Sequence, residues 1–317
     1  MQLLRTLSRV ALGSIPLVFL SGALQAQSAS AAPTAPPVAP VKTVVDDYFG
    51  TKVPDPYRYM ENLKDPEVAA WFKAQNDYTH TVLDRIPGRD KLLARIQALD
   101  QSVPQVFAGR LPGGVYMIFK RLPNEDVSKI YLRNGLKGAD RLLADPGQFK
   151  LTPEDQAHGK NEIAGVAVSP DGKLMVIGIE PGGSETSKEL RVIELATGRD
   201  LGDVITHGAC AEGLFARWLP DSKSFVYGRL QDLPADAPAE RVRQNFRSYL
   251  HTLGADQSTD TPVFGSGVVP GIDVDPSLIA SVYIPAGSPY AVGQLNGSVT
   301  PNSAYYIAPV DTLGKPN

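Results

Sequence analysis

Cysteine is nearly absent. Cys210 is the single thiol in 317 residues, so no internal disulfide and no thiolate metal cluster can form, and the residue reads as a small apolar core side chain without redox chemistry. A surplus of positive charge is missing as well. Thirty-one Lys and Arg stand against 34 Asp and Glu, for a formal net charge of −3. No basic run exceeds two residues, which excludes the broad positive field that nucleic acid requires. Apolar runs long enough to span a bilayer are also missing, because the stretch from Val10 to Leu20 covers only eleven residues. What is present is ordinary for a globular protein, 43% hydrophobic and 21% charged residues, in a length that can hold two domains.

The first residues read as an address. Arg5 and Arg9 supply a positive flank, the short apolar stretch follows, and small residues come next, so residues 1–31 are expected to be a signal peptide cleaved after Ala26 or Ala31. The alternative is an uncleaved membrane anchor. Export to the periplasm or medium is the expectation, with no membrane association after cleavage. Residues 32–42 turn rich in Pro and Ala, and Pro33, Pro36, Pro37 and Pro40 favour an extended linker over a packed element.

From 43 to 105 the signal is helical. Asp65 occupies an N-cap position, Pro66 suits the first helical residue, and Glu67 complements the positive helix end. Val68, Trp71, Phe72, Tyr78, Val82, Leu83 and Ile86 then recur at helical spacing until Pro87-Gly88, and Leu92, Leu93, Ile96 and Leu99 form a second, shorter stripe. Two such helices cannot cover both stripes alone, so they require another surface.

Residues 106–317 read as short strands, among them Val115 to Arg121, Ile130 to Arg133, Leu174 to Ile179, Leu190 to Glu194, Phe225 to Arg229 and Ser248 to Leu253. A turn repeats ahead of them: Leu111-Pro112-Gly113-Gly114, Ser169-Pro170-Asp171-Gly172-Lys173, Leu219-Pro220-Asp221-Ser222-Lys223 and Asp275-Pro276-Ser277. Proline followed by Asp, Gly or Ser makes a tight reversal, expected here between the first two strands of each unit. The spacing fits the blades of an incomplete β-propeller, about four of them, over 106–160, 161–210, 211–266 and 267–314. The fold class expected is therefore mainly β, preceded by a two-helix segment, with a β-sandwich as the alternative.

Asp46-Asp47-Tyr48-Phe49-Gly50, then Val53-Pro54-Asp55-Pro56-Tyr57-Arg58-Tyr59-Met60-Glu61, then Trp71 with Ala74-Gln75-Asn76, resembles the N-terminal signature of the prolyl oligopeptidase family. Ala167 to Lys173, Trp218 to Lys223, and Tyr249-Leu250-His251-Thr252-Leu253-Gly254 with Asp260 are similar to the second and third blades of that family, so the resemblance spans about residues 43 to 265. It implies a seven-bladed propeller in front of an α/β-hydrolase peptidase domain, with the helical segment docking on that domain through Trp71, Phe72 and Leu83. It further implies hydrolysis of short peptides after proline by a serine nucleophile.

The catalytic parts of such an enzyme are not found in this sequence. A hydrolase nucleophile sits in a Gly-x-Ser-x-Gly elbow followed by an acid and a histidine, and no such elbow occurs here; Gly182-Gly183-Ser184-Glu185 is a turn lacking the second glycine. His80, His158, His207 and His251 have no neighbouring motif to make any of them a base. Gly265-Ser266-Gly267 with Gly271 lacks dinucleotide-loop spacing, and Asp273 with Asp275 falls short of a calcium loop. Asn296-Gly297-Ser298 reads as an Asn-Gly hairpin turn before a glycosylation acceptor. No catalytic, cofactor-binding or metal residue is nominated and no cofactor is expected. The chain is expected to stop before the catalytic machinery and to act as scaffold and access filter, taking peptide substrate only when joined to a catalytic domain. The alternatives are a freestanding binding module and a truncated, inactive gene product.

Overall fold

The computed structural model describes residues 35–150, 159–182, 188–209, 216–234, 237–297 and 302–315. The described residues divide into two compact units, one up to Arg95 and one from Ile96.

In the first unit, β1 (Val44–Tyr48) and β2 (Thr51–Asp55) form an antiparallel hairpin. Its two-residue turn has both φ angles positive, Phe49 at 55° and Gly50 at 87°, the condition for a turn whose twist matches the flanking strands. Arg58 holds the pair from one side, donating to Asp55 at 3.0 Å and to Asp46. Helix α1 (Pro66–Leu83) starts where the sequence places it, with the Asp65 carboxylate accepting the Glu67 N–H at 2.8 Å and Pro66 at its head. Helix α2 (Arg89–Asp100) follows the Pro87-Gly88 break and carries the chain past the Arg95/Ile96 division.

The second unit is a series of antiparallel meanders. The first is β3 (Gln105–Arg110), β4 (Val115–Arg121), β5 (Lys129–Asn134) and β6 (Arg141–Ala144). The second is β7 (Asn161–Val168), β8 (Leu174–Pro181), β9 (Lys188–Glu194) and β10 (Asp200–Gly208). The third is β11 (Arg217–Trp218), β12 (Ser224–Arg229), β13 (Arg247–Thr252) and β14 (Thr261–Gly265). The fourth is β15 (Ile279–Tyr283), β16 (Tyr290–Asn296) and β17 (Ser303–Pro309). The second and third meet at one residue pair, Gly208 with Arg229, where β10 touches β12.

Side-chain alternation explains why these sheets stack as blades. On β8, Met175, Ile177 and Ile179 pack with Ile130, Leu132 and Leu143 of the first meander, while Val176 packs with Trp218, Phe225 and Tyr227 of the third. On β12, Phe225 and Tyr227 face the second meander, and Val226 joins Ile279, Ala280 and Val282 of the fourth. The two middle sheets are thus buried on both faces, which makes Leu174–Ile179 and Phe225–Tyr227 near-continuous apolar runs. A two-sheet sandwich buries one face of each sheet, so that alternative does not hold. Each large apolar side chain fully buried in these seams contributes about 1.5–3 kcal/mol.

Two turn readings are corrected. Leu111–Gly114, Ser169–Lys173 and Leu219–Lys223 each connect the first two strands of their meander, but Asp275-Pro276-Ser277 lies ahead of β15. Its Asp275 carboxylate caps the Ser277 N–H at 2.8 Å, an Asx turn leading into a strand rather than between two. The reversal between β15 and β16 spans 284–289, around Pro285. Asn296 is no hairpin-turn residue either: it pairs with Ser303 across β16 and β17, leaving a connection over 297–302, of which 298–301 lie outside the described residues.

Candidate functional site

The exposed apolar stripe of the helices is the first candidate surface. Only Val68 of α1 is fully buried. Trp71 and Phe72 make an edge contact with centroids 5.1 Å apart, Phe72 remains 46% exposed and Leu83 38%. The Trp71 indole N–H is shielded from solvent and finds no acceptor among the described residues. Along α2, Leu92, Leu93, Ile96 and Leu99 are all exposed. The helical period read from the sequence is real, and of its apolar side chains Phe72, Val82, Leu83 and Ile86 are exposed, as are the four of α2, while Val68 is buried.

Each described histidine faces carboxylates. His80 lies 3.8 Å from Asp84 on the surface of α1, and His207, at φ 57° on β10, lies 3.2 Å from Asp232. Among the described residues none of them is bonded to a serine hydroxyl, the contact a nucleophile–base pair would need. His158, Cys210 and Ser184 lie outside the described residues. Beyond Gly265 the chain turns rather than entering a helix, so no anion-binding helix end follows that glycine cluster.

His251, on β13, is different. It is fully buried, with Nδ1 2.8 Å from Asp260 Oδ1 and Nε2 2.9 Å from Asp203 Oδ1. The far oxygen of Asp260 accepts the Tyr227 O–H at 2.7 Å, and the far oxygen of Asp203 accepts the Gly254 N–H at 2.8 Å. Burial works against a charged imidazole, but the bonds to Asp203 and Asp260 outweigh it and raise the His251 pKa to about 9. Burial also works against the Asp203 carboxylate, which the His251 and Gly254 bonds nevertheless hold below its usual range. Desolvation, then the bond to Asp260, push the Tyr227 phenol well above its ordinary value. In the sequence His251 and Asp260 stand out only through the family resemblance, and nothing local marks Asp203 or Tyr227 as their partners. The one local signal was a histidine at an inward position of Tyr249–Leu253; Asp203 lies 48 residues away.

An apolar cavity of about 620 Å3 lies between the third and fourth meanders, bordered by Phe264, Val282, Tyr306 and Leu313. Its lining holds no carboxylate or histidine, so it offers no acid–base pair.

Comparison with known proteins places this architecture. The family described as prolyl oligopeptidase, N-terminal beta-propeller domain, matches residues 36–269. A prolyl endopeptidase of Elizabethkingia meningoseptica is 25% identical over 225 residues, covering 71% of this chain and 30% of the relative. Prolyl oligopeptidase A of Galerina marginata is 27% identical over 229 residues, covering 67% and 31%. Among solved structures, one from a study of two prolyl endopeptidases and their inter-domain dynamics superposes with a TM-score of 0.71 at 27% identity, over 87% of this chain and 38% of the other. The chain spans about a third of the length of these relatives.

Proposed function

The chain belongs to the prolyl oligopeptidase family as part of its N-terminal propeller, and on that premise we propose that it is the scaffold and substrate-access filter of an exported serine peptidase cutting short peptides after proline. The observation that supports this most is the state of the two ends of the blade stack. Phe107 and Val106 of the first meander are 72% and 57% exposed, and Ile307 and Tyr305 of the last are 71% and 59% exposed, whereas the sheets between bury both faces. Further blades would cover these ends, and a hydrolase domain would cover the stripe of Trp71, Phe72 and Leu83.

On this reading the nucleophile, base and oxyanion donors come from outside these 317 residues. The purified chain is expected neither to cleave a chromogenic Gly-Pro substrate nor to react with a fluorophosphonate probe. Supplied with the remaining blades and hydrolase domain, it is expected to assemble, and Trp71→Asp to weaken the assembly by placing an unpaired charge in the contact. Labelling of a serine in the isolated chain would overturn the reading. A monodisperse monomer with cooperative unfolding would favour a self-contained binding module. For export, the intact mass of protein recovered outside the cytosol is expected to lack the first 26 or 31 residues, while full-length chain confined to the cytosol would contradict it.

A further inference from the structure

The buried histidine cluster joins two blades, and its hydrogen bonds make sense in only one protonation state. Asp203 belongs to β10, the last strand of the second meander; His251 lies on β13, and Asp260 stands just before β14, both in the third. Both ring nitrogens of His251 lie within hydrogen-bond distance of carboxylate oxygens. A neutral imidazole carries one N–H, so it can donate to only one of them and turns a lone pair toward the other. Each carboxylate also accepts a second bond on its far oxygen, from Tyr227 or Gly254, as anions do. The arrangement is satisfied by an imidazolium between two carboxylates.

We propose that Asp203, His251 and Asp260 form a latch across the seam between the second and third blades, closed only while His251 carries its proton.

The seam's other ties at this end lie at its rim. β10 and β12 share the ladder pair Gly208 with Arg229, flanked by the bonds from Ala209 N–H to the Gly228 carbonyl at 2.9 Å and from Leu230 N–H to the His207 carbonyl at 3.0 Å. His207 lies 3.2 Å from Asp232, and Gln257 reaches across to the Thr206 backbone at 3.0 and 2.8 Å. From β12 the cluster meets the Phe225 ring, 5.1 Å from the His251 ring, and the Tyr227 phenol. Two residues along, the Arg229 guanidinium is taken by Asp232 at 2.7 Å and lies over the Tyr249 ring, so it does not replace the histidine charge. Losing the imidazolium proton leaves two buried carboxylates with a single imidazole N–H between them, which favours separation of the blades or entry of water. The sign follows from a pKa raised from 6.5 to about 9: the latch is at full strength below pH 6.5 and is lost as pH rises through about 9.

The test uses the full chain with 13C-labelled histidine, comparing wild type, His251→Gln and Asp203→Asn. The imidazole signal missing from His251→Gln is expected to titrate in wild type with a midpoint above 8, and in Asp203→Asn at least about one pH unit lower. In a Trp71→Phe background, Trp218 fluorescence reports on the seam, because Trp218 packs edge-on against Phe225, which touches His251. The urea midpoint read from it is expected to fall further between pH 7 and pH 10 in wild type than in His251→Gln; where that variant does not fold, Asp203→Asn takes its place. A His251 midpoint below 7, or an equal fall in wild type and variant, overturns the latch.

Discussion

The backbone N–H of Asp171 donates to the Ser222 hydroxyl at 3.1 Å, joining the first turn of one blade to the first turn of the next across 51 residues. The same interval separates Trp218 from Ala167, Gly254 from Asp203 and Gln257 from Thr206. Two of these ties, Asp171 to Ser222 and Trp218 to Ala167, join equivalent places of the second and third blades, and the other two join β10 to the connection between β13 and β14. Ser222 stands where the earlier turn has Gly172, and both have positive φ, 55° and 70°. Serine accepts a strained backbone there and gains the bond. Ser222→Ala is expected to cost about 0.5–1 kcal/mol, the value of an exposed hydrogen bond. Ser222→Val is expected to cost more, because a β-branched residue tolerates positive φ poorly. Urea unfolding monitored by circular dichroism distinguishes the two, and equal effects would refute the account.

Trp218 donates its indole N–H to the Ala167 carbonyl at 2.8 Å while its ring packs edge-on against Phe225. Trp218→Phe keeps an aromatic ring and removes the donor, taking one bond from a carbonyl that also faces Val176 in the β7–β8 ladder. A loss of about 0.5–1.5 kcal/mol is expected from the unfolding free energy. A variant as stable as wild type would show that water replaces the indole at no cost.

Close approach of the third and fourth blades depends on two glycines. A Cβ on Gly293 would stand 2.9 Å from the Phe264 ring across the seam, and one on Gly265, at φ +120°, would stand 3.1 Å from Ala280 Cβ across it and 2.3 Å from the Phe246 carbonyl oxygen within its own blade. Gly293→Ala is expected to lose about 1–3 kcal/mol through overpacking. Gly265→Ala meets backbone that cannot give way and adds a disfavoured φ, so its thermal midpoint should be the lower of the two. The reverse order would refute the argument.

Acid should loosen the first blade at one identifiable place. Asp140, with 17% of its side chain exposed, bonds Arg133 at 2.7 Å and Lys120 at 2.6 Å, and these cations, Arg133 first, lower its pKa from 3.8 to about 2. A depressed carboxylate pKa stabilises the fold above 3.8 and ceases to as pH falls through about 2. Wild type is expected to lose about 1 kcal/mol more than Asp140→Asn between pH 4 and pH 2. Parallel acid-unfolding curves for the two proteins would remove Asp140 from the explanation.

What could be read from the residues divides by range. Helix α1 was legible because its signals are local: Asp65 as cap, Pro66 at the head, Trp71 to Leu83 at one period. The strands Val115–Arg121 and Leu174–Ile179 were legible because burial on one or both faces leaves apolar runs between proline turns. The hairpin of β1 and β2 was hidden, since Asp46, Asp47 and Pro54 are poor strand residues and its turn places a bulky Phe49 at positive φ. The turn at Pro276 was misplaced because Asx chemistry marks a change of direction without saying which strands it joins. Asp203 could not be paired with His251 in advance, because only the stacking of one blade on the next brings them together.

Every hydrogen-bonded neighbour inside a blade is the next strand in the chain, from β3–β6 through β15–β17. Such pairing keeps loop-closure distances short and favours rapid formation. During synthesis each blade can close before the next has been translated, and the finished one presents the surface on which its successor condenses. Assembly then runs in the direction of translation. A lesion at an early seam, such as that between Met175 and Ile130, would deprive every later blade of its template, whereas one at β17 would spare those already laid down.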